Sequence, residues 1–167
     1  FGHPADLDAL SEVCARFGIA LIEDAAESLG TYYKDRHPGR DGLLSALSFN
    51  GNKIITTGGG GMLVTDNEDW AQRARHLTTQ AKVDSVEYIH DEIGYNYRLT
   101  NIQAALGCAQ MEQLNRLILE KRQLAAHYRE WFRDWPQATF VEEPTNCDSN
   151  YWLNAIFLQD RVARDDY

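Results

Sequence analysis

The sequence predicts an α/β fold with a mainly parallel sheet flanked by helices. Three observations support this prediction: a helix-spaced apolar stripe near the start, a short apolar run directly after it, and two further apolar runs before the next helix. A helix, a glycine and an apolar run in succession are typical of an α/β unit, whose parallel strands are covered on both faces. The 167 residues, 44% of them hydrophobic, suffice to bury a core.

The first α/β unit is predicted from residues 5–24. Residues 5–17 place apolar side chains on one helical stripe, with Asp6 as a candidate N-cap and Gly18 suited to the left-handed position after the helix. That stripe consists of Leu7, Leu10, Val13, Cys14 and Phe17. The run "IALIED" at residues 19–24 is the predicted strand, and it ends in two acids.

Two further strands are predicted at residues 43–50 and 61–67, after a polar, glycine-bearing loop or hairpin over residues 30–43. A second helix is predicted over residues 67–78. Asn67 is its candidate cap, and two acids follow in the first turn, where the helix dipole favours negative charge.

The second half of the chain is predicted to be mainly helical. An irregular stretch over residues 79–99 precedes a long helical pattern from about 101 to 132, which is expected to bend or break near Asn115. A final strand is predicted at residues 151–160. The change in sequence character after about residue 115 predicts a domain boundary there.

Composition limits the partners. The net charge of −9 and pI near 4.9 argue against nucleic acid or an anionic membrane surface as the default partner. Neither a membrane span nor a signal peptide is visible in the sequence. The three cysteines show no disulfide or zinc spacing, which favours a reducing cytoplasm, and Cys14 and Cys108 are expected to be buried. The histidines share no metal-binding spacing, so no metal is expected.

The segment "SFNGNKIITTGGGG" places Lys53 between two predicted strands, before the glycine run 58–61. A sheltered lysine amine can attack a carbonyl and form a Schiff base. Alternatively, glycine backbone and nearby hydroxyls can cradle a phosphate, or the segment is a hairpin with a surface lysine. The candidate hydroxyls are Ser48, Thr56 and Thr57.

Other candidate site residues lie at strand ends and in the irregular stretch. Asp24 ends a predicted parallel strand, where open α/β sheets bind ligands, although Glu23 and Asp24 also suit capping or solvent exposure. Asn96 and Arg98 in "GYNYR" suit phosphate or carboxylate binding, or simply loop packing. His90 is a candidate substrate contact.

Four motifs in order, "IEDAAESLG", "SFNGNK", "TTGGGG" and "GYNYRLTNIQAALGCAQ", resemble the DegT/DnrJ-type sugar aminotransferases. The resemblance covers residues 1–128 and extends more loosely to 167. It implies the type I aminotransferase fold and the cofactor pyridoxal 5′-phosphate (PLP). Residues 1–115 would then be part of the PLP-binding large domain, and 116–167 the start of the C-terminal small domain.

The resemblance also implies residue roles. Lys53 matches the lysine that forms a Schiff base with PLP, and Asp24 matches the acid that pairs with the pyridine nitrogen. Glu27 matches a position near the 3-oxygen of the ring. Ser48 matches the serine that binds the cofactor phosphate, and Asn96 matches an asparagine that reaches this phosphate across a homodimer interface.

The implied reaction is ping-pong: an amino donor, usually glutamate in this family, loads nitrogen onto PLP, and a nucleotide-linked keto sugar then accepts it. Many members have an acid where this chain has Gly59. The segment "NGNKIITTGGGGM" more closely resembles the corresponding segment of 4-aminotransferases that act on UDP-linked 4-keto-6-deoxy-N-acetylhexosamines. Lys53 favours transamination over the related dehydratase branch, which lacks this lysine.

Two alternatives remain open: a nucleotide- or phosphate-binding α/β protein in which Lys53 is only a point charge, and a non-catalytic relative that binds PLP or a sugar nucleotide. Full-length family members are about twice as long as this chain, consistent with two domains. The isolated 167 residues are therefore expected to bind PLP poorly and to be inactive.

Overall fold

The computed structural model describes residues 1–84 and 86–166. Ser85, within the predicted irregular stretch 79–99, and Tyr167, the last residue of the predicted small-domain segment 116–167, lie outside the described residues. The elements follow the order α1 (Leu7–Phe17), β1 (Ile22–Asp24), β2 (Tyr32–Tyr33), β3 (Leu44–Ser48), β4 (Gly61–Val64), α2 (Glu68–Thr78), α3 (Asn101–Met111), α4 (Leu114–Phe132), β5 (Ala138–Phe140), β6 (Cys147–Asp148), β7 (Ile156–Leu158) and α5 (Arg161–Asp166).

A three-stranded sheet with the order β1-β3-β4 organises the first half of the chain. β1 and β3 are parallel, with Asp24 opposite Ala46, whereas β3 and β4 are antiparallel, with Ser48 opposite Gly61. Two small antiparallel pairs lie outside this sheet. β2 pairs with β6 and so connects the two halves of the chain, whereas β5 and β7 pair within the second half. Helices combined with this sheet confirm the predicted α/β class. The prediction of a mainly parallel sheet is wrong for the described strands, because only β1 and β3 pair in parallel.

The capping predictions for α1 are confirmed, but the expectation that Cys14 is buried is not. The Asp6 carboxylate accepts a hydrogen bond from the Ala9 N–H at 3.1 Å, and Gly18 is left-handed with φ of 62°. Leu7 is buried, yet Phe17 is 64% exposed. Leu10 and Val13 are also exposed, and Cys14 is half-buried.

The first predicted strand is shorter and less covered than expected. β1 starts at Ile22, which is 65% exposed, so the prediction that both faces of this strand are covered is wrong for the described chain. The physical reason is that Ile22 and Asp24 point to one face of the strand and Glu23 to the other, and no helix of residues 1–84 and 86–166 packs extensively on β1 to cover the Ile22 face. The predicted loop over 30–43 contains β2, whose partner β6 is more than one hundred residues away.

The predicted helices are present. Asn67 caps α2 by accepting a hydrogen bond from the Trp70 N–H at 3.0 Å. The long helical pattern is divided into α3 and α4 around Glu112 and Gln113, slightly before the expected position at Asn115. Cys108 in α3 is exposed, which corrects the expectation that it is buried.

The predicted strand at 151–160 is wrong over most of its length, because only Ile156–Leu158 form β7. Tyr151 has a φ of 45°, outside the extended region. The Tyr151 N–H donates to the Ser149 hydroxyl and the Trp152 N–H to the Asn150 side-chain oxygen, at 3.0 and 2.8 Å. These local side-chain acceptors satisfy the backbone in place of a strand partner.

Two apolar clusters meet along α4. Phe49, Ile54, Ile55 and Trp152 form the first, with Leu114, Leu117 and Ile118 packed against it, while Ala125, Phe140 and Tyr151 form the second. The predicted domain boundary between residues 115 and 116 falls in the first turn of α4. None of the helices described for residues 1–84 and 86–166 combines the length and apolar character needed to cross a membrane.

Candidate functional site

A small pocket surrounds Lys53 at the carboxyl end of β3. Its lining residues are Ala26, Glu27, Leu29, Ser48, Lys53, Ile54, Ile55 and Trp152. The Lys53 side chain is only 13% exposed. The loop after β1, the end of β3 and the segment before β7 therefore converge on one sheltered amine, which excludes the alternative of a surface hairpin lysine.

The Lys53 amine lies between a carboxylate and an aromatic face. Its Nζ is 3.7 Å from Oε1 of Glu27 and 3.9 Å from the ring centroid of Trp152. The Trp152 indole N–H donates to the carbonyl of Asn52 at 2.6 Å, so this ring is also tied to the residue before Lys53. The ion pair and the cation–π contact both compensate a lysine that is partly removed from water.

Ser48 ends β3 beside the Lys53 pocket, and its hydroxyl accepts a hydrogen bond from the Asn50 N–H at 3.3 Å. The glycine run bends back against this strand end, with Gly58 and Gly60 at φ of 79° and 86°. The Gly60 carbonyl accepts from the Phe49 N–H at 3.0 Å. Two glycines of the run thus adopt a positive φ, at which other residues would be strained.

The hydroxyls of Thr56 and Thr57 hold the glycine loop in place. Thr56 Oγ1 donates to the Phe49 carbonyl at 3.1 Å and accepts from the Gly58 N–H at 2.8 Å. The buried Thr57 hydroxyl donates to the carbonyl of Gly59. Both hydroxyl protons are used within the loop, so among the three hydroxyls considered for phosphate binding, Ser48 is the one whose proton has no acceptor within the described chain.

The two acids at the end of β1 have different environments. Glu23 is buried and accepts three backbone hydrogen bonds, from Gly39, Asp41 and Gly42, at 2.6, 2.8 and 2.6 Å. Asp24 is exposed at the carboxyl end of the parallel strand, and its carboxylate accepts a hydrogen bond from the Ala26 N–H at 3.1 Å. Glu23 therefore shapes the loop before β3, which leaves Asp24 as the acid available to a ligand.

The predicted residues of the irregular stretch lie apart from the residues that line the Lys53 pocket. Asn96 is exposed and forms a bridge with Thr79 at the end of α2. Arg98 is exposed, and the His90 ring contacts the carbonyl of Gln80 at 2.7 Å through Nδ1. The single chain thus brings together Lys53, Glu27 and Ser48, with Asp24 at the neighbouring strand end, but not Asn96.

One group in the described chain has the donor types of a metal site. His76, Asp91 and Glu92 place one ligand atom each within 4.8 Å of one another. However, the Arg73 guanidinium donates to both oxygens of Glu92. A cation there would have to compete with this guanidinium, and no metal was expected from the sequence.

The sequence did not identify Asn150 and Trp152 as site residues. Trp152 lies in the segment predicted to be a strand, residues 151–160, and Asn150 directly precedes that segment, about one hundred residues from Lys53 in the chain. The sequence feature that could have indicated these residues is the polar pair Ser149 and Asn150, which stands directly before two aromatic residues and the predicted strand. Nothing in that pattern indicates which distant loop the pair contacts.

Comparison with known proteins places these features in a family. Residues 1–166 match the DegT/DnrJ/EryC1/StrS aminotransferase family. EpsN of Bacillus subtilis (strain 168), provisionally named as a pyridoxal phosphate-dependent aminotransferase, is 42% identical over 166 residues, which is 99% of this chain and 43% of that protein. A GDP-perosamine synthase of Escherichia coli O157:H7 is 38% identical over 166 residues, covering 99% of this chain and 45% of the synthase.

Solved structures agree with the sequence relatives. The aminotransferase TlmJ from Streptoalloteichus hindustanus superposes with a TM-score of 0.93 at 27% identity, over 99% of this chain and 45% of TlmJ. DesV from S. venezuelae, solved with a ketimine intermediate, superposes with a TM-score of 0.89 at 31% identity, over 97% of this chain and 43% of DesV. The chain thus spans less than half the length of these relatives. On this evidence the chain belongs to the DegT/DnrJ/EryC1/StrS aminotransferases, a family of PLP-dependent enzymes that act on sugars.

Proposed function

We propose that the protein containing this chain is a PLP-dependent aminotransferase that moves an amino group from an amino acid to a nucleotide-linked keto sugar. The observation that supports this most strongly is the sheltered amine of Lys53, whose side chain is 13% exposed and lies in a pocket with Glu27 and Ser48. The GDP-perosamine synthases among the relatives are named for a nucleotide-linked amino sugar, which is the class of product proposed here.

The residues present fit PLP. The cofactor needs an amine for covalent attachment, a carboxylate for its ring nitrogen and hydrogen-bond donors for its phosphate. Lys53, Asp24 and Ser48 supply these three groups, and each follows or ends a neighbouring strand of one sheet. The donor set is therefore complete for the parts of PLP that this half of the relatives' length would hold.

Each side chain then has a distinct task. When bound, PLP supplies an aldehyde for attachment and a pyridinium ring that withdraws electrons from the substrate. Lys53 would hold the cofactor through its amine, and the same amine would carry the proton at the reacting carbon of the substrate. The Asp24 carboxylate would keep the ring nitrogen protonated, the Ser48 hydroxyl would donate to the phosphate, and Glu27 would serve the 3-oxygen of the ring.

The finer assignments are also proposals. We assign glutamate as the amino donor, because it is the usual donor in the family that the motifs resemble. We assign a UDP-linked 4-keto-6-deoxy-N-acetylhexosamine as the acceptor, on the basis of the sequence around Lys53. We further propose a cytoplasmic homodimer, in which Asn96 reaches the cofactor phosphate of the partner, because Asn96 is exposed and lies apart from the Lys53 pocket of its own chain. Residues 1–115 and 116–167 are proposed as parts of the large and small domains.

Removal of the Lys53 amine tests the proposal. Intact protein incubated with PLP is expected to show an absorbance band near the edge of the visible range, and borohydride is expected to fix the cofactor to Lys53. Lys53→Ala should lose both the band and the fixed cofactor, because no other amine lines the pocket among the described residues. Absorbance spectra and peptide mass spectrometry provide the measurements.

Lys34→Ala is the matched control, since Lys34 is a solvent-exposed lysine paired with Asp8 and distant from the pocket lining. It should keep the band. A wild-type protein without any band would support the nucleotide- or phosphate-binding alternative. A band without amino transfer to any sugar, in a panel of GDP-, UDP- and TDP-linked 3-keto and 4-keto sugars with glutamate, would support the non-catalytic alternative.

A further inference from the structure

Asn150 is a fully buried polar residue with no role assigned by the reaction. Its exposure is 0%, yet every hydrogen-bonding group of its side chain is used. The side-chain NH₂ donates to the backbone carbonyls of Glu27 and Leu29 at 2.7 and 2.9 Å. The side-chain oxygen accepts from the backbone N–H of Trp152 at 2.8 Å. Burial of an amide is unfavourable unless its groups are paired, so this network is specific to an asparagine.

The contacts of Asn150 join two segments that are far apart in sequence. Its backbone N–H also donates to the Thr31 hydroxyl at 3.1 Å, and that hydroxyl donates to the Gly2 carbonyl at 2.8 Å. The loop of residues 27–31 and the segment of residues 149–152 are thus connected through one side chain. We call these two segments the Glu27 loop and the Trp152 segment.

Both segments contact the Lys53 amine. The Glu27 loop contributes the carboxylate 3.7 Å from Nζ, and the Trp152 segment contributes the ring whose centroid is 3.9 Å from the same atom. Asn150 is not among the residues that line the pocket, but its side-chain amide bonds the backbone of Glu27 and of Trp152, the two residues whose side chains contact the amine.

We propose that Asn150 is a positioning residue that holds Glu27 and Trp152 against the Lys53 amine, so that the amine is presented in one orientation to an incoming aldehyde. This inference rests on the proposed function, because it assigns a purpose to the orientation of Lys53. The same contacts also limit the access of small reagents to Lys53. Access can be measured without any cofactor.

The test is the rate of acylation of individual lysines by a small amine-reactive reagent, followed by peptide mass spectrometry on the intact protein without PLP. Asn150→Asp keeps the size of the side chain but replaces the NH₂ group by an oxygen that faces the carbonyls of Glu27 and Leu29. Because two buried hydrogen bonds are lost, the Lys53 site should open more often and its acylation rate should rise at least about fivefold relative to Lys34. The wild-type ratio of Lys53 to Lys34 is the reference.

Asn115→Asp is the matched control: it makes the same chemical change on an exposed residue in the first turn of α4. It should leave the ratio unchanged. A general loss of structure in Asn150→Asp would raise the acylation of all lysines and change the circular dichroism spectrum. A folded Asn150→Asp protein with an unchanged ratio would overturn the proposal.

If Asn150→Asp does not fold, Thr31→Val decides. This variant keeps the shape of the side chain but loses the hydroxyl that accepts from the Asn150 backbone N–H, and so weakens the connection between Asn150 and the Glu27 loop. A rise in the Lys53 to Lys34 ratio supports the positioning of Lys53 by its surroundings, and an unchanged ratio refutes it. Borohydride trapping of PLP on the wild-type protein is run separately, so a protein that fails to bind PLP contradicts the proposed function without affecting the acylation result.

Discussion

Glu23 and Asp24 show how two adjacent carboxylates are given different tasks by strand geometry. Successive side chains of a strand point to opposite faces, so one acid turns inward and the next turns outward. Glu23 accepts three backbone hydrogen bonds in the interior, whereas Asp24 remains exposed at the sheet edge. The sequence alone left open whether either acid capped the next element or faced water, because both tasks suit the dipeptide.

Asn substitution at Asp24 separates charge from shape. Asp24→Asn keeps an oxygen for the Ala26 N–H but removes the negative charge, so transamination by the intact protein should fall about 10²-fold or more. Stability should change by less than about 0.5 kcal/mol, because the site is exposed. Steady-state rates and chemical denaturation provide the measurements. Undiminished activity would remove Asp24 from the proposed site.

Glu23→Gln is the matched control for Asp24→Asn. Its new NH₂ group would face backbone N–H donors in a buried position, which should lower the free energy of unfolding by about 2 kcal/mol. Its effect on activity should follow only from this loss of stability.

At the scale of elements, the helix ends could be predicted from sequence, whereas the strand ends could not. Helix ends are set by local chemistry, and the caps at Asp6, Gly18 and Asn67 occur where expected. Strand length depends on the partner strand. β1 and β7 are therefore shorter than their apolar runs, and the segment around Asn150 uses side-chain acceptors instead of a ladder.

A histidine near β2 provides a test at this scale. The backbone N–H of Gly30 donates to Nε2 of His37 at 3.2 Å, which requires an unprotonated nitrogen. Burial lowers the pKa of His37 below the ordinary value of 6.5; the Pro38 backbone and Glu23 oppose this shift, and Arg40 adds to it. The folded state therefore binds fewer protons at His37 than the unfolded state does.

The sign of the pH dependence follows from this lowered pKa. The contribution of His37 is fully present above about pH 6.5 and is lost as the pH falls through the folded pKa. His37→Gln keeps an acceptor without a titrating group, so its stability should decline less steeply than that of the wild type between about pH 6.5 and 5. Denaturation curves at several pH values measure this difference, and parallel declines would contradict it.

At the scale of the whole molecule, the motifs predicted the family and the grouping of Lys53, Glu27 and Ser48, because the spacing of these motifs reflects one strand-and-loop arrangement. The tie from Asn150 to the Glu27 loop could not be predicted, since it joins segments 121 to 123 residues apart. Hydrogen bonds between residues so far apart in sequence depend on the folding of the whole chain. Local sequence patterns do not contain that information.

The exposed apolar surface leads to the last prediction. Phe17 and Ile22 are 64% and 65% exposed, and Leu63 on β4 is also exposed, so the helix α1 and the sheet present uncovered apolar groups. Large apolar side chains left exposed in this way favour association or additional packing partners. The isolated 167-residue chain should therefore bind PLP weakly, scatter light when it is concentrated and show no transamination. The intact protein should bind PLP, stay clear when it is concentrated and catalyse transamination. PLP absorbance, light scattering and amino transfer are to be measured on both proteins side by side. Measurable transamination by the isolated chain would show that these residues form a complete active site without further packing.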